Sequence, residues 1–291
     1  MQIFKAVLLV AAISFVGKSL AADCSCFSTA MKSKSDYSLF NPTPDSLLRD
    51  LDTDRPNKTN SPKTLDAGHF QIETGLLGYS HDSHSLDGTH TKGWTVTDTD
   101  LRIGLTNWAE IQFEIPFYQS VRTTDTLTGK TQHASGIGDL SIFFLANFWG
   151  NDKGDTAGGI EFFVKTPTAS HGLGNGKVEG GALILLATKL PGDFDLGINT
   201  GVGISANDDG GYHADIINSV SVSHAIVGPI SAYAEFFSSV PTQHSSGWEG
   251  TIDVGFTFQI GKNFQFDAGM NIGVTRAADD LETFFGVSYR F

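Results

Sequence analysis

Cysteine is scarce in this sequence: 291 residues contain only Cys24 and Cys26, with one residue between them. Bridging such neighbours strains disulfide geometry, so there is no intramolecular disulfide framework, and the two thiols are left to pair between chains, bind something or stay free. Basic residues are also few, 19 Lys and Arg against 32 Asp and Glu, for a net charge of −13. That deficit argues against nucleic acid as a partner and against a basic binder of membrane surfaces. After the amino-terminal leader no run of eighteen apolar residues occurs, which excludes a transmembrane helix. Phosphate loops, dinucleotide fingerprints and the Gly-x-Ser-x-Gly elbow are missing too, so no cofactor, metal or catalytic set is implied. What is abundant is Gly, 33 residues, and Phe, 22 residues, a pairing suited to tightly turned strands with aromatic edges.

The amino terminus reads as an export signal over residues 1–21. One basic side chain, Lys5, precedes the apolar run Ala6 to Val16, and Ser19-Leu20-Ala21 places small residues at a cleavage site. Removing it takes away Lys5 and Lys18 and no acid, leaving 17 basic against 32 acidic residues, a net −15. A lipoprotein reading centred on Cys24 is disfavoured by Asp23, which stands where a small residue is needed. Residues 22–66 are rich in Ser, Lys, Asn, Asp and Pro and read as a periplasmic arm or plug. One short helix is expected there, with Thr43 as cap, Pro44 at the first position and Leu47, Leu48 and Leu51 on one side. Asp50, Asp52 and Asp54 resemble the start of a calcium loop, but Arg55 and Ser61 occupy the positions that need Gly and Glu, so a solvated acidic turn is expected.

From residue 67 onward hydrophobicity alternates with a period of two. Phe70, Ile72, Thr74 and Leu76 oppose Gln71, Glu73 and Gly75; Ile111, Phe113, Ile115 and Phe117 oppose Glu110, Gln112 and Glu114. Leu140, Ile142, Phe144 and Phe148 oppose Ser141 and Asn147, and the pattern continues to Leu281, Thr283, Phe285, Val287, Tyr289 and Phe291. Twelve such strands are expected. Tight turns fall at Thr106-Asn107, Pro191-Gly192, Val227-Gly228 and Gly261-Lys262, with a longer one at Gly150 to Asp155. The remaining connections read as longer polar loops, among them His81 to Thr91, Ser120 to Ala134 and Pro167 to Lys177. Short turns on one side and long loops on the other predict an all-β fold, a twelve-stranded antiparallel transmembrane barrel of the outer-membrane type spanning residues 67–291. The rival is a soluble sandwich, whose inward faces would be the apolar ones.

If the apolar face meets membrane lipid, the other face lines a lumen. Candidate lining residues are Glu73, Asp100, Arg102, Glu110, Glu114, Asp139, Glu161 and Lys165, with Asp98, Glu179, Asp195, Glu235, Asp253, Asp267, Glu282 and Arg290 in the same register. Carboxylates at that density call for water and local ion pairs, and they favour cations or neutral solutes over anions. Phe143, Phe163 and Tyr233, with Trp94, Tyr118, Phe237 and Phe284, fall on or near the inner register. There they would serve a small aromatic or hydrophobic solute, pack against the arm or fill the wall.

The stretch Thr53-Asp54-Arg55-Pro56-Asn57-Lys58-Thr59, followed by Ser61-Pro62-Lys63-Thr64 and Ala67-Gly68-His69-Phe70-Gln71-Ile72-Glu73, resembles the entry segment of the outer-membrane transporter family named for the meta-pathway of phenol degradation. Gly136-Ile137-Gly138-Asp139-Leu140 and Lys165-Thr166-Pro167-Thr168 resemble it as well. The resemblance implies a barrel for passive or facilitated uptake of small, aromatic or otherwise hydrophobic molecules, in the outer membrane of a bacterium. Tyr289 and Phe291 resemble the carboxyl-terminal signal read by the barrel-assembly machinery, an expected partner during biogenesis. The alternatives are a structural or binding barrel and an outer-membrane hydrolase. For the latter His81, His84, His133, His171, His224 and His244 lie near serines, but none in the setting of a known nucleophile motif.

Overall fold

The computed structural model describes residues 33–83, 85–207, 210–243 and 246–291; the expected export signal, Cys24 and Cys26 lie outside them. The strands are β1 (Phe70–Asp82), β2 (Thr89–Thr106), β3 (Ala109–Asp125), β4 (Thr131–Gly136), β5 (Leu140–Trp149), β6 (Thr156–Thr166), β7 (Glu179–Leu190), β8 (Phe194–Ala206), β9 (Tyr212–Val227), β10 (Ile230–Pro241), β11 (Glu249–Ile260), β12 (Phe264–Gly273) and β13 (Leu281–Arg290). Each is antiparallel to its neighbours, and β13 pairs with β1 from Gln71↔Arg290 to His81↔Leu281, so the sheet closes on itself. The short β4 and β5 both pair with β3, β4 along its outer part and β5 along its inner part. They are two halves of one broken wall strand, which makes this a twelve-stranded barrel.

Burial is inverted relative to a soluble protein. Among the described residues 23 polar or charged side chains are buried against 11 hydrophobic ones, while Phe256, Phe162, Ile184 and Ile252 are exposed. Phe113, Phe144, Phe256 and Phe266 all fall on the outward register. An exposed apolar exterior round a polar interior excludes the soluble sandwich and requires hydrocarbon outside. Aromatics mark both rims: Trp108, Phe148, Trp149, Tyr289 and Phe291 at the end holding the tight turns, and Trp94, Phe117, Tyr118, Tyr212 and Trp248 at the other. Such paired girdles are the interfacial anchors of a membrane barrel. The tight-turn end also carries the carboxyl terminus and is the periplasmic end.

Three features differ from the sequence expectation. First, β1 carries a bulge between Gly75 and Leu77, so Leu76 and Leu77 both face outward and the alternation then resumes in the opposite phase. Second, β2 and β3 run 18 and 17 residues, about 7 more than a tilted membrane strand requires, and replace much of the expected outer loops. Their outer halves are rich in Thr and face water on both sides, so no apolar stripe announces them. Third, Trp94 and Tyr118 lie outward instead of lining the lumen; Trp94 pairs in register with the outward Tyr79, at a ring distance of 4.6 Å.

Because all four tryptophans sit in the girdles, brominated lipids in nanodiscs are expected to quench their fluorescence, more strongly with bromine near the headgroup than near the bilayer centre. Emission unchanged from that in unbrominated lipid would contradict the outward assignment.

Candidate functional site

Residues 33–69 form an arm whose central part enters the lumen from the periplasmic end. Lys34–Asp36 and Asp45–Leu47 are single 3-10 turns; the expected helix is only the second of these, with Pro44 at its cap. Leu48, at the end of this turn, is already in extended conformation. Leu39 donates its main-chain N–H to Leu105 O, and Thr43 donates to Ala67 O, fixing the arm to the lower end of β2 and to its own return. From Leu48 the chain rises, turns at Arg55–Thr59 and descends to Ala67. The base of this loop is closed by Asp66, which accepts from Arg49 N at 2.7 Å and pairs with Lys34 at 2.8 Å. Arg49 also donates to Thr64 O and Asn107 O.

The wall grips the loop mainly by its backbone. Glu235 accepts the main-chain N–H groups of Lys58 and Thr59, both at 2.9 Å. Glu73 accepts those of Arg55 at 2.9 Å and Asp54 at 3.3 Å, and Glu110 accepts that of Leu65. In the other direction Asn147 donates to Pro62 O, Gln71 to Asp52 O and Arg290 to Arg49 O. Wall carboxylates thus find donors without needing water, which is how Glu73, Glu110 and Glu235 are buried. Charge-assisted bonds of this kind contribute roughly 1.5–3 kcal/mol each.

Ion pairs complete the seal. Arg102, 1% exposed, meets Glu110 at 2.8 Å, Glu73 at 3.0 Å and Asp54 at 3.2 Å. Asp54 also accepts from Ser61 N and Gln112, so it is part of the seal and not a solvated acidic turn. At the apex Arg55 pairs with Asp267 at 2.8 Å and lies 5.5 Å from the Phe284 ring, while Lys58 approaches Asp253 at 3.9 Å and the Phe237 ring at 4.7 Å. Arg55 packs its guanidinium over Gly286, where a Cβ would come within 2.5 Å of it and would require the guanidinium to shift. Tyr233 likewise packs over Gly255 and Gly269 and donates to Pro56 O at 3.4 Å.

Apart from the outward Trp94 and Tyr118, the predicted lining residues lie on the inner register or, for Asp139, at the mouth just beyond it, in separate settings. Glu73, Arg102, Glu110 and Glu161 lie under the arm, and Glu161 accepts from Asn60 between Leu145 and Leu183. Asp100 stands in register between Glu73 and Glu114, a row of three carboxylates across β1, β2 and β3. Phe143 and Phe163 pair at 6.1 Å on the wall of β5 and β6. Asp139 and Lys165 belong to the outer mouth, where Lys165 pairs with Asp139 at 3.5 Å and Glu179 at 2.6 Å. There Asp139 accepts the main-chain N–H of Thr168 and Ala169, and Leu140 exchanges hydrogen bonds with the Thr166 and Thr168 hydroxyls. The Gly136–Leu140 and Lys165–Thr168 motifs therefore form one junction, pinning the broken strand to the loop after β6. Sequence reading missed the grip of Gln71, Asn147 and Asn151 on the arm, because an amide on a polar face carries no signal of what it will bind.

A cavity of about 630 Å³ opens to the periplasm between the arm and the wall of β7 to β11. Its charged lining is close to balanced, the six cations Arg49, Arg55, Lys63, Arg102, Lys189 and Arg290 against the five acids Asp50, Asp52, Asp66, Asp152 and Asp195.

The sequence profile of the family described as "Putative MetA-pathway of phenol degradation" matches residues 53–291, from the re-entrant loop to the last strand. The chain belongs to this family. Among solved structures, an outer membrane channel from Pseudomonas putida F1 superposes with a TM-score of 0.59 at 12% identity, over 77% of this chain and 95% of that one. The translocator domain of the autotransporter NalP from Neisseria meningitidis gives a TM-score of 0.46 at 11% identity, over 77% and 88%. No curated protein matches the sequence. At such identities the first likeness shows the barrel fold. With the apolar exterior and the closed strand ladder, it places this family member in the bacterial outer membrane, in contact with membrane lipid.

Two outcomes check the seal. Arg102→Ala leaves Glu73, Glu110 and Asp54 uncompensated and is expected to destabilise the barrel by about 3–5 kcal/mol, read as a lowered urea midpoint in detergent; a midpoint unchanged from the parent would contradict the role assigned to Arg102. In the β5–β6 turn, partial burial pushes the Asp152 carboxyl up, but hydrogen bonds from Lys34 and Asn107 and the charge of Arg49 outweigh it and hold it at about 2, below the ordinary 3.8. A depressed folded pKa means this stabilisation is present above pH 3.8 and is lost as pH falls through about 2. Asp152→Asn should therefore lower stability at neutral pH by up to about 1 kcal/mol, read as a lowered thermal midpoint, and match the parent near the lower limit; a constant offset at every pH would count against the pairing.

Proposed function

We propose that this protein is a channel for passive or facilitated passage of small molecules across the outer membrane, closed in the present state by the described part of the arm, residues 33–66, acting as a plug. The observation that carries this reading is the re-entrant loop of the arm, which crosses the lumen and is held by wall side chains through its backbone. A loop held by hydrogen bonds and ion pairs, with no covalent tie among the described residues, is releasable. The cavity between arm and wall marks where a passage widens.

The lumen supports small cationic or neutral solutes of aromatic or hydrophobic character. Glu73, Asp100 and Glu114 stand in one row with Asp98 beside them, and like charges directly opposite one another favour an incoming cation or water. Phe143, Phe163, Tyr233, Phe237 and Phe284 add apolar surface at the level of the plug apex and beyond. Covalent chemistry has less support: the closest serine–histidine pair, Ser120 and His133 at 3.0 Å, faces outward and has no carboxylate to orient the ring among the described residues. Carboxyl-terminal Tyr289 and Phe291 supply the aromatic ending expected of a client of the barrel-assembly machinery.

Planar-bilayer recording of the refolded mature chain tests the proposal. Deleting residues 22–66 is expected to raise single-channel conductance several-fold, and a salt gradient should give a reversal potential showing preference for K⁺ over Cl⁻. Equal conductance with and without the arm would remove the plug, and absence of conductance in both would remove the channel.

A further inference from the structure

We infer that the outer rim of β1 to β4 binds a phosphate-bearing lipid headgroup of the outer leaflet. By register the Asp and Glu of the described strands face the lumen, save that Asp125, at the outer tip of β3, turns its carboxylate to cap the following turn by accepting the main-chain N–H of Leu127 and Thr128; within the membrane the outward wall carries no acid. Among the described residues Lys92 and Arg122 are the only Lys or Arg on the outward face of any strand, and they stand directly opposite each other. His81 pairs with Lys92 on one side and His133 with Arg122 on the other. A chain of net charge −13 thus places one unbroken basic row, His81–Lys92–Arg122–His133, on its outside.

Two permanent cations opposed across a strand pair repel, and the pairing costs stability unless an anion lies between them. No protein group does so: neither Lys92 nor Arg122 makes an ion pair or side-chain hydrogen bond among the described residues, and both are exposed. The Nδ1 of His81 is buried with no hydrogen-bond partner. Position identifies the anion. The row lies two residues beyond Tyr79 and Trp94, about 6.6 Å farther along the strands, and that aromatic pair marks the membrane interface. Anionic groups at that height, outside the wall and just beyond the acyl chains, belong to lipid headgroups. A guanidinium beside an ammonium suits phosphate, which accepts from both.

The test uses the full mature chain in detergent, titrated with diphosphoryl lipid A, with dephosphorylated lipid A and with inorganic phosphate, following tryptophan emission. The expected result is saturable binding of the diphosphoryl lipid, weakened about tenfold in Lys92→Gln/Arg122→Gln and kept in Lys92→Arg/Arg122→Lys. Heat-modifiable gel migration reports folding of each variant. Equal affinity of the folded Gln variant and the parent would overturn the site. So would equal binding of the dephosphorylated lipid to the parent, a comparison that needs no variant. Displacement of the lipid by an equal concentration of inorganic phosphate would show a simple anion site and overturn the assignment to a headgroup.

Discussion

Closure of β1 on β13 is the constraint from which the rest of the molecule follows. In hydrocarbon an unpaired main-chain N–H or C=O costs several kcal/mol, and only a closed ladder leaves none at an edge. The seam is paired to its last residue, with Phe70 and Phe291 exchanging both main-chain hydrogen bonds. Once the ladder closes, alternate side chains divide between lipid and lumen with no third choice. Polar residues collect inside, where they need partners, and the arm supplies them.

The lumen is crowded with acids that neither lipid nor a dry interior tolerates. The re-entrant loop answers this by presenting main-chain N–H groups and two cations at its apex to Glu73, Glu235, Asp267 and Asp253. Much of the specificity sits in the wall, because a main-chain amide is the same whatever side chain follows it. Arg55 is an exception: its guanidinium pairs with Asp267 and lies in the space left by Gly286. Arg102 works in the opposite sense, a wall cation receiving the arm's Asp54 as well as two wall glutamates.

What the sequence made legible was the part governed by a period of two. Strand number, the periplasmic turns, the outward Phe113, Phe144, Phe256 and Phe266 and the inward Glu73, Glu110 and Glu161 all follow from alternation that one-sided contact with lipid imposes. Where that cause lapses, legibility lapses with it. Beyond the outer girdle both faces of β2 and β3 meet water, so Thr89 to Thr91 and Thr123 to Asp125 carry no apolar stripe. The bulge at Leu76 reverses phase through one inserted residue, which a local pattern does not register. In the arm, irregular backbone has no period, and the single 3-10 turn at Asp45–Leu47 replaced a helix that Pro44 and the leucines seemed to mark. The acidic run Asp50, Asp52 and Asp54 gave no sign of its partner because Arg102 lies 48 positions beyond Asp54 and meets it only after closure.

In the proposed channel, the division of charge ties closure to permeation. With the arm seated, the apex cations of Arg55 and Lys58 neutralise Asp267 and Asp253, and the periplasmic cavity is close to electrically balanced. Withdrawal of the loop would take those cations out of the lumen and leave the carboxylates on the wall, together with Glu73 and Glu235, whose amide donors depart at the same moment. An open lumen would be both wider and more negative than a closed one, and cations and water would enter to replace the lost partners. Conductance and cation preference would then rise together, since one segment is both the obstruction and the counter-charge.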